Sequence, residues 1–497
     1  MRGADGRRSS PFFGWRRRPI CCFSADIKRC PGSGSGVGLA IFLLPPGEGS
    51  RRRFRGGISN KVSVNILDEK ERTNQGLARR ILLDPDQLPM APRTIGESSR
   101  RHNLFRRKHQ RQPEDITEDN TEIETDKSQD LDGVPFGQRQ NNIPMGANVW
   151  NNKLFITIPR RRPGVPSTLN YVLVNGTQRQ NVPLIPYPDW DTNTLGGSGT
   201  KLVSVYRVAV DSCDRLWFVD TGLIETPGDP QQVQPPALII MDLTSNRVVQ
   251  RYEFNSSLLR PATNLASVTV DISNDECNNA FGYIPDLGGF GLIVYSLREN
   301  RAWRVNHNYF FPEPTSGEFS IGGHEFQWND GVFSVALSDV KSDGYKDVYF
   351  HSMAGFNLYR VSTRIFKNDT VATRSYHGRD FEIVGNRGEL SQTSSSDLHA
   401  PRGVLFLGLV NQNALGCWRI GSPLRDISIV QKDDRKMIYP SDVKIRGDNV
   451  IVLTNTMPVF LYGTLDYDTV NFRVWVEAVD TAVMGTKCAS SKSGTKY

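Results

Sequence analysis

The side chains able to do acid–base, nucleophilic or metal chemistry are scattered along this chain. Of its seven histidines, five (His307, His324, His351, His377 and His399) fall beyond residue 300. The chain has no GxSxG, no HExxH and no phosphate-binding loop, and no CxxC or Cys/His cluster that would suggest zinc. Each histidine therefore reads first as a hydrogen-bonded structural group or surface side chain, and no cofactor or metal is expected. Asp211, Asp214 and Asp220 flank one apolar run and read as turn residues at strand ends, with calcium the alternative. Arg160-Arg161-Arg162 before Pro163 reads as a solvated loop, with an anion-reading patch the alternative. Hydroxyls and amides gather at Thr393-Ser394-Ser395-Ser396 and Asn411-Gln412-Asn413. Together with an aromatic wall, such groups could hold a cationic aromatic amine, or they could simply form turns and cap exposed backbone.

Seven cysteines occur, of which Cys213, Cys277, Cys417 and Cys488 lie in the C-terminal part and Cys21, Cys22 and Cys30 near the start. Four in the folded part allow three pairings; Cys213–Cys277 with Cys417–Cys488 is preferred, joining neighbouring units and tying the C-terminal tail back. Free thiols in a reducing compartment are the alternative. Asn175, Asn255 and Asn368 each open an N-glycosylation tripeptide. Met1 does not open a normal signal peptide, since the apolar stretch Val37–Leu44 is short and closed by Pro45-Pro46. Disulfides and glycosylation sites nevertheless favour secretion, with the start of the coding region suspect.

The elements that must position these groups are strands. From Gly146 onward, short runs of β-branched and aromatic residues recur between Gly, Pro, Asn and Asp, and no helical periodicity lasts beyond two turns. A recurring unit pairs one apolar strand with a second, as in Leu154–Ile158 with Leu169–Leu173 and Leu216–Val219 with Ala237–Leu243. The units begin at 154, 216, 280, 348, 405 and 450, the last pairing Val450–Leu453 with Val459–Tyr462. A blade of four antiparallel strands needs roughly 40–50 residues, so these spacings fit six blades with generous loops. The expected fold is all-β, a six-bladed β-propeller over residues 141–490, with Phe406 in its core and a short polar tail at 491–497.

Residues 1–112 carry 24 Lys+Arg against 9 Asp+Glu, so the net charge of +7 belongs to this arm and the remainder is acidic. Arginine clusters, Gly/Ser/Pro runs and the acidic stretch Glu114–Asp132 lack the apolar content to offset ordering entropy, so residues 1–140 are expected to be a disordered extension. An acidic globular part argues against nucleic acid as a partner, and no apolar stretch approaches the roughly 20 residues a membrane helix needs.

Across residues 144–490 the chain resembles the yellow/major royal jelly protein family of insects. The resemblance rests on Phe155–Arg160, Gly164–Leu169, Ile185–Trp190, Val210–Trp217, Asp220–Gly222, Gly291–Ser296, Tyr309–Pro312, Asp343–Tyr345, Gln412–Trp418, Met457–Phe460 and Asn471–Val474. It implies a six-bladed propeller, secretion, and a role in pigmentation, melanin chemistry, or cuticle and eggshell formation. It further implies a small aromatic amine or catechol in the central channel or, alternatively, dopachrome conversion; a structural extracellular role is the third reading. Dopachrome conversion takes a proton from carbon and delivers one to a ring oxygen, so a histidine or carboxylate near the channel is required. By resemblance to amine-binding relatives, Ser396, Asn411 and Asn413 are the ligand-binding candidates. A further cysteine pair of the yellow branch, near Gly196–Gly197 and Gln234 here, is missing.

Overall fold

The structure, a computed structural model, describes residues 64–65, 139–176, 182–196 and 201–489. Six four-stranded sheets succeed one another along the chain as the blades of a propeller. Their innermost strands are Gly146–Trp150, Val205–Val210, Thr269–Asp271, Val332–Leu337, Thr393–His399 and Pro440–Arg446, taken as blades 1 to 6. The apolar runs expected to open each unit are the second strands, from Lys153–Thr157 in blade 1 to Asn449–Thr454 in blade 6.

Alternation along these second strands explains the ring. In blade 1, Leu154 and Ile156 enter a core shared with Ile451, Leu453 and Val474 of blade 6, while Phe155 enters one shared with Val205, Phe218 and Ile239 of blade 2. Blade 5 repeats the device. Phe406 packs with Val443, Val450 and Trp475 of blade 6, whereas Leu405 and Leu407 pack with Tyr349 and Leu358 of blade 4. A sheet with two apolar faces must be covered on both, and a closed ring of sheets does so. Phe406 is thus core, as expected.

The innermost strands escaped the sequence reading because they are short, small or polar. Thr393–His399 reads TSSSDLH, yet Thr393, Ser394, Ser395 and Ser396 are all buried: Thr393 bonds to Ser391 O, Ser394 and Ser395 to neighbouring blade 6, and Ser396 pairs with His351 of neighbouring blade 4. Gly146 allows the close approach of blades 1 and 2: a Cβ there would stand 2.7 Å from Tyr206 O and 2.8 Å from Arg207 Cα.

Two expectations need correction. Val459–Tyr462 is not a strand but part of the helix Met457–Tyr462, with Pro458 in its first turn, where a missing N–H costs nothing. The third strand of blade 6 is Phe472–Ala478. Its outermost strand is Val64–Asn65, which pairs in parallel with Phe472 and Arg473, so these two residues of the expected disordered arm belong to the fold. Otherwise residues 1–138 and 490–497, and the expectations for the arm and the tail, lie outside the described residues.

Both preferred disulfides form. Cys213–Cys277 links the first turn of blade 2 to the first loop of blade 3, and Cys417–Cys488 ties the chain's end to the third strand of blade 5. Among the described residues no helix is long and apolar enough to cross a membrane.

Candidate functional site

The channel between the innermost strands is closed at its waist by one side chain. Arg207 of blade 2 reaches across the axis and donates to Phe333 O of blade 4 at 3.3 Å, Ser394 O of blade 5 at 3.3 Å and Ser441 O of blade 6 at 2.5 Å. Its Nε lies 3.7 Å from Asp442, which is equally buried. A buried charge needs a partner and hydrogen-bond acceptors to be tolerated, and Arg207 has Asp442 and three carbonyls. The waist separates a cavity at the N-terminal ends of the innermost strands, the upper one, from a cavity at their C-terminal ends.

The upper cavity, of about 300 Å³, is walled by Tyr206, Trp328, Phe333, Tyr439 and Tyr462 and has Arg161, Arg207 and Asp330 as its charged groups. Behind this wall packs a hairpin between blades 3 and 4, Glu318–Ile321 with His324–Gln327, turning at Gly322 and Gly323, both at positive φ; its Phe319 and Ile321 share a core with Phe333 and Tyr439. Phe319 and Phe326 of the hairpin stack 5.5 Å apart, and Phe326 lies 4.5 Å from Trp328. Trp328 donates its indole N–H to Tyr462 Oη at 2.6 Å, joining the hairpin's base to the blade 6 helix. Tyr439 enters the cavity from a backbone at φ 53°, a region where a residue with a Cβ is strained by about 1–2 kcal/mol. Burial pushes its phenol upward, partly countered by Arg207.

Asp330 is the titratable carboxyl of this cavity. Burial raises it to about 6, against a smaller opposing pull from Arg161. Among the described residues its side chain accepts no hydrogen bond, so the carboxyl is free to meet whatever occupies the cavity. A carboxyl poised near neutrality beside an aromatic pocket can bind a cation or move a proton.

The three consecutive arginines have three fates, and the expectation of a solvated loop does not hold. Arg160 is buried and spends its guanidinium on backbone carbonyls: Val165 O at 2.9 Å, Leu202 O at 2.9 Å, Val203 O at 2.6 Å, Pro166 O at 2.9 Å, and Asn193 O. Arg162 stacks 3.9 Å over the Phe460 ring and donates to Phe460 O at 2.5 Å. Arg161, between them, faces the cavity.

The lower cavity, of about 370 Å³, is lined among others by Asn148, Thr269, Ser396, Asp397 and Lys444. Burial raises the Asp397 carboxyl, countered by Lys444; it accepts the Leu398 and Ile445 N–H groups at 2.8 Å each. Ser396 Oγ stands 3.1 Å from His351 Nε2, and burial holds that imidazole well below its usual range.

The three ligand candidates are thus not brought together. Ser396 borders the lower cavity, while Asn411 lies in the loop after the second strand of blade 5, among contacts to the upper hairpin. Asn413 sits at φ 48° in the turn ending that loop and donates to Asp434 Oδ1 at 3.1 Å. Of the other histidines, His399 pairs with Asp448 at 3.0 Å, and His307 stacks on Phe381 at 4.0 Å. Asp211 accepts from Cys213 N, Arg215 N and Trp217 Nε1, and Asp220 from Val203 N, Ser204 N and Gln234 Nε2, the work of turn residues. Gln234, near one end of the missing cysteine pair, also donates to Lys201 O. Exposed Asn255 and Asn368 each cap a short helix. Asn175 is exposed too, but Thr177 of its tripeptide lies outside the described residues. Asp330, Trp328, Tyr439 and Tyr462 were missed, whereas Arg161 was singled out only within its run, where an anion-reading patch was the alternative to a solvated loop. They come from loops and one helix of different blades, and the signals available were that run and the lone Trp328-Asn329-Asp330 following the Gly322-Gly323 turn.

A sequence model of the family described as major royal jelly protein matches residues 203–488. The chain is 41% identical over 352 residues to the L-dopachrome tautomerase yellow-f of Drosophila melanogaster, spanning 70% of this chain and 82% of that one. It is 40% identical over 353 residues to Protein yellow of Drosophila madeirensis, and 39% identical over 354 residues to Protein yellow of Drosophila melanogaster. The match spans 61% and 65% of those two chains, less than two thirds of their length. A solved Bacteroides thetaiotaomicron protein of unknown function superposes with a TM-score of 0.38 at 12% identity over 67% of this chain and 70% of that one, a likeness that carries nothing further. The family match, and 41% identity over 352 residues to a relative of which 82% is covered, make this chain a member of the yellow/major royal jelly protein family.

Proposed function

We propose that the upper cavity binds a small catechol-derived aromatic and that Asp330 shifts a proton on it, the chemistry of a dopachrome tautomerase acting in pigmentation or cuticle and eggshell formation. The observation that carries this reading is a carboxyl raised to about 6 in a cavity walled by aromatic rings. As a carboxylate, Asp330 accepts the carbon-bound proton of an indoline quinone, and the ring electrons move to the quinone oxygen. That oxygen is then protonated, so the reaction is an isomerisation with no net proton change. The rings of Trp328, Tyr439 and Tyr462 provide stacking surface, and Tyr206 and Phe333 close the sides. The relative named for L-dopachrome tautomerase supports the assignment.

The second reading is a carrier of a small aromatic amine without turnover. Asp330 favours it as well, since an ionised carboxylate among aromatic faces suits an ammonium group. Secretion is proposed for either reading, supported by the two disulfides and by exposed Asn255 and Asn368. The test follows dopachrome absorbance with the full chain, made under oxidising conditions, beside calorimetric titration with dopamine and serotonin. Saturable colour loss above a heat-inactivated control, abolished by Asp330→Asn, supports the enzyme. Amine binding without colour loss moves the assignment to the carrier, and neither result with folded protein sinks both.

A further inference from the structure

Arg161 is the one charged group of the upper cavity that neither the core nor the proton chemistry uses. Arg207, the other guanidinium there, is held by three carbonyls and faces Asp442. The flanking arginines are consumed by backbone and by Phe460. The Arg161 side chain, by contrast, makes one long hydrogen bond, Nη1 to Tyr206 Oη at 3.5 Å, with its guanidinium 6.0 Å from the centre of that ring. Its Nε is buried without any hydrogen-bond partner.

A buried donor left unpaired costs stability unless something supplies an acceptor. Asp330 does not supply it, since no ion pair joins the two among the described residues. The Nε is enclosed, but Nη2 makes no hydrogen bond among the described residues, so the cavity holds a fixed cation whose terminal donors are open and, separately, the carboxyl with no hydrogen-bond partner. A planar guanidinium with adjacent free N–H groups matches a carboxylate, which can take two parallel hydrogen bonds from it.

We infer that Arg161 is a substrate-anchoring residue and that the cavity is built for an aromatic bearing a carboxylate, such as an indole-2-carboxylate or an amino-acid-derived indoline quinone, in preference to the decarboxylated amine. The inference rests on the reading that the upper cavity is the binding site. It adds the substrate class: the carboxylate pairs with Arg161, the ring lies among Trp328, Tyr439 and Tyr462, and Asp330 is left for the proton.

The test uses non-reacting probes, so it does not depend on turnover. Quenching of tryptophan fluorescence in the full chain is titrated with indole-2-carboxylate, with its neutral isostere indole-2-carboxamide, and with tryptamine. The wild-type chain is expected to bind the carboxylate about tenfold or more tighter than the carboxamide. Arg161→Gln should bring the two within about twofold by weakening the carboxylate alone, and Arg161→Lys should restore part of the preference. Equal affinities in the wild-type chain, which needs no variant to fold, would overturn the inference. So would equal weakening of both probes by Arg161→Gln, or tighter binding of tryptamine than of the carboxylate. Carboxylate preference without dopachrome turnover would remove the tautomerase reading and leave this one. Turnover of L-dopachrome and its methyl ester at equal efficiency would do the reverse.

Discussion

Asn411 and Ser320 lie 91 residues apart, yet Asn411 Oδ1 accepts the Ser320 N–H at 2.9 Å. The same side chain donates through Nδ2 to Glu318 O at 3.2 Å and to Gln392 Oε1 at 2.9 Å. Blade 5 thereby grips the first strand of the hairpin that leads into Trp328 of the upper cavity, continuing its backbone pairing with a side chain.

Loosening that grip should weaken binding more than chemistry. Asn411→Ala is expected to raise KM for dopachrome, or Kd for an indole probe, by about three- to tenfold, with kcat within about twofold. Amide exchange over Glu318–Gln327 should accelerate in the variant. Unchanged KM with protected amides would mean that the Phe319–Phe326 stack holds the hairpin unaided.

Asp330→Asn should reduce kcat by about 10²-fold or more while raising the thermal midpoint at pH 7.5 by about 2 °C. The rise follows from the direction of the shift. A carboxyl whose folded value, about 6, exceeds its unfolded value favours folding below the unfolded value, and that contribution is lost as pH rises through 6. At pH 7.5 the wild-type chain bears a desolvated charge that asparagine does not. For the same reason, turnover in the wild-type chain should grow as pH rises through about 6. A midpoint lowered by the substitution would contradict this account.

His307 and His377 act on stability in the opposite sense. Burial, with His377 nearby, holds His307 down at about 4; burial and Arg374 lower His377, against the pull of Asp380. Imidazoles depressed in the folded state are protonated more readily in the unfolded chain, so stability is lost as pH falls from about 6.5 towards 4. Urea midpoints between pH 7 and 4.5 should decline, and His307→Phe, which keeps a ring against Phe381, should flatten the decline. An equally steep decline in the variant would place the acid sensitivity elsewhere.

Reduction should be costly. The disulfides close stretches of 64 and 71 residues, each worth on the order of 4 kcal/mol in the chain-entropy account. Replacing Cys417 and Cys488 by serine should lower the thermal midpoint by about 10 °C, as should replacing Cys213 and Cys277. A negligible shift in either pair would mean that the blade interfaces already hold those ends.

The architecture was legible because each second strand must be apolar on both faces, and runs such as Leu216-Trp217-Phe218-Val219 announce this from composition alone. The innermost strands were not legible, since Ser394, Ser395 and Ser396 satisfy their hydroxyls through partners on the neighbouring blades. The Val459–Tyr462 run misled because an apolar tetrapeptide carries no period, and Pro458 was the cue to a helix. The cavity was the least legible part. Arg161 has neighbours of its own type that are wholly structural, and what separates the three is which way each leaves the chain after blade 1's second strand. Asn411 was found for its amide, but what it contacts is other protein, the backbone of Glu318 and Ser320 and the Gln392 amide.

The Arg207 crossing also governs traffic. With Arg207 across the axis, a molecule that enters the upper cavity cannot leave by the opposite face; under the proposed tautomerase function, product has to back out through the opening that the next substrate must use. Turnover in such a cul-de-sac is reciprocating, and its product should act as a competitive inhibitor by occupancy alone.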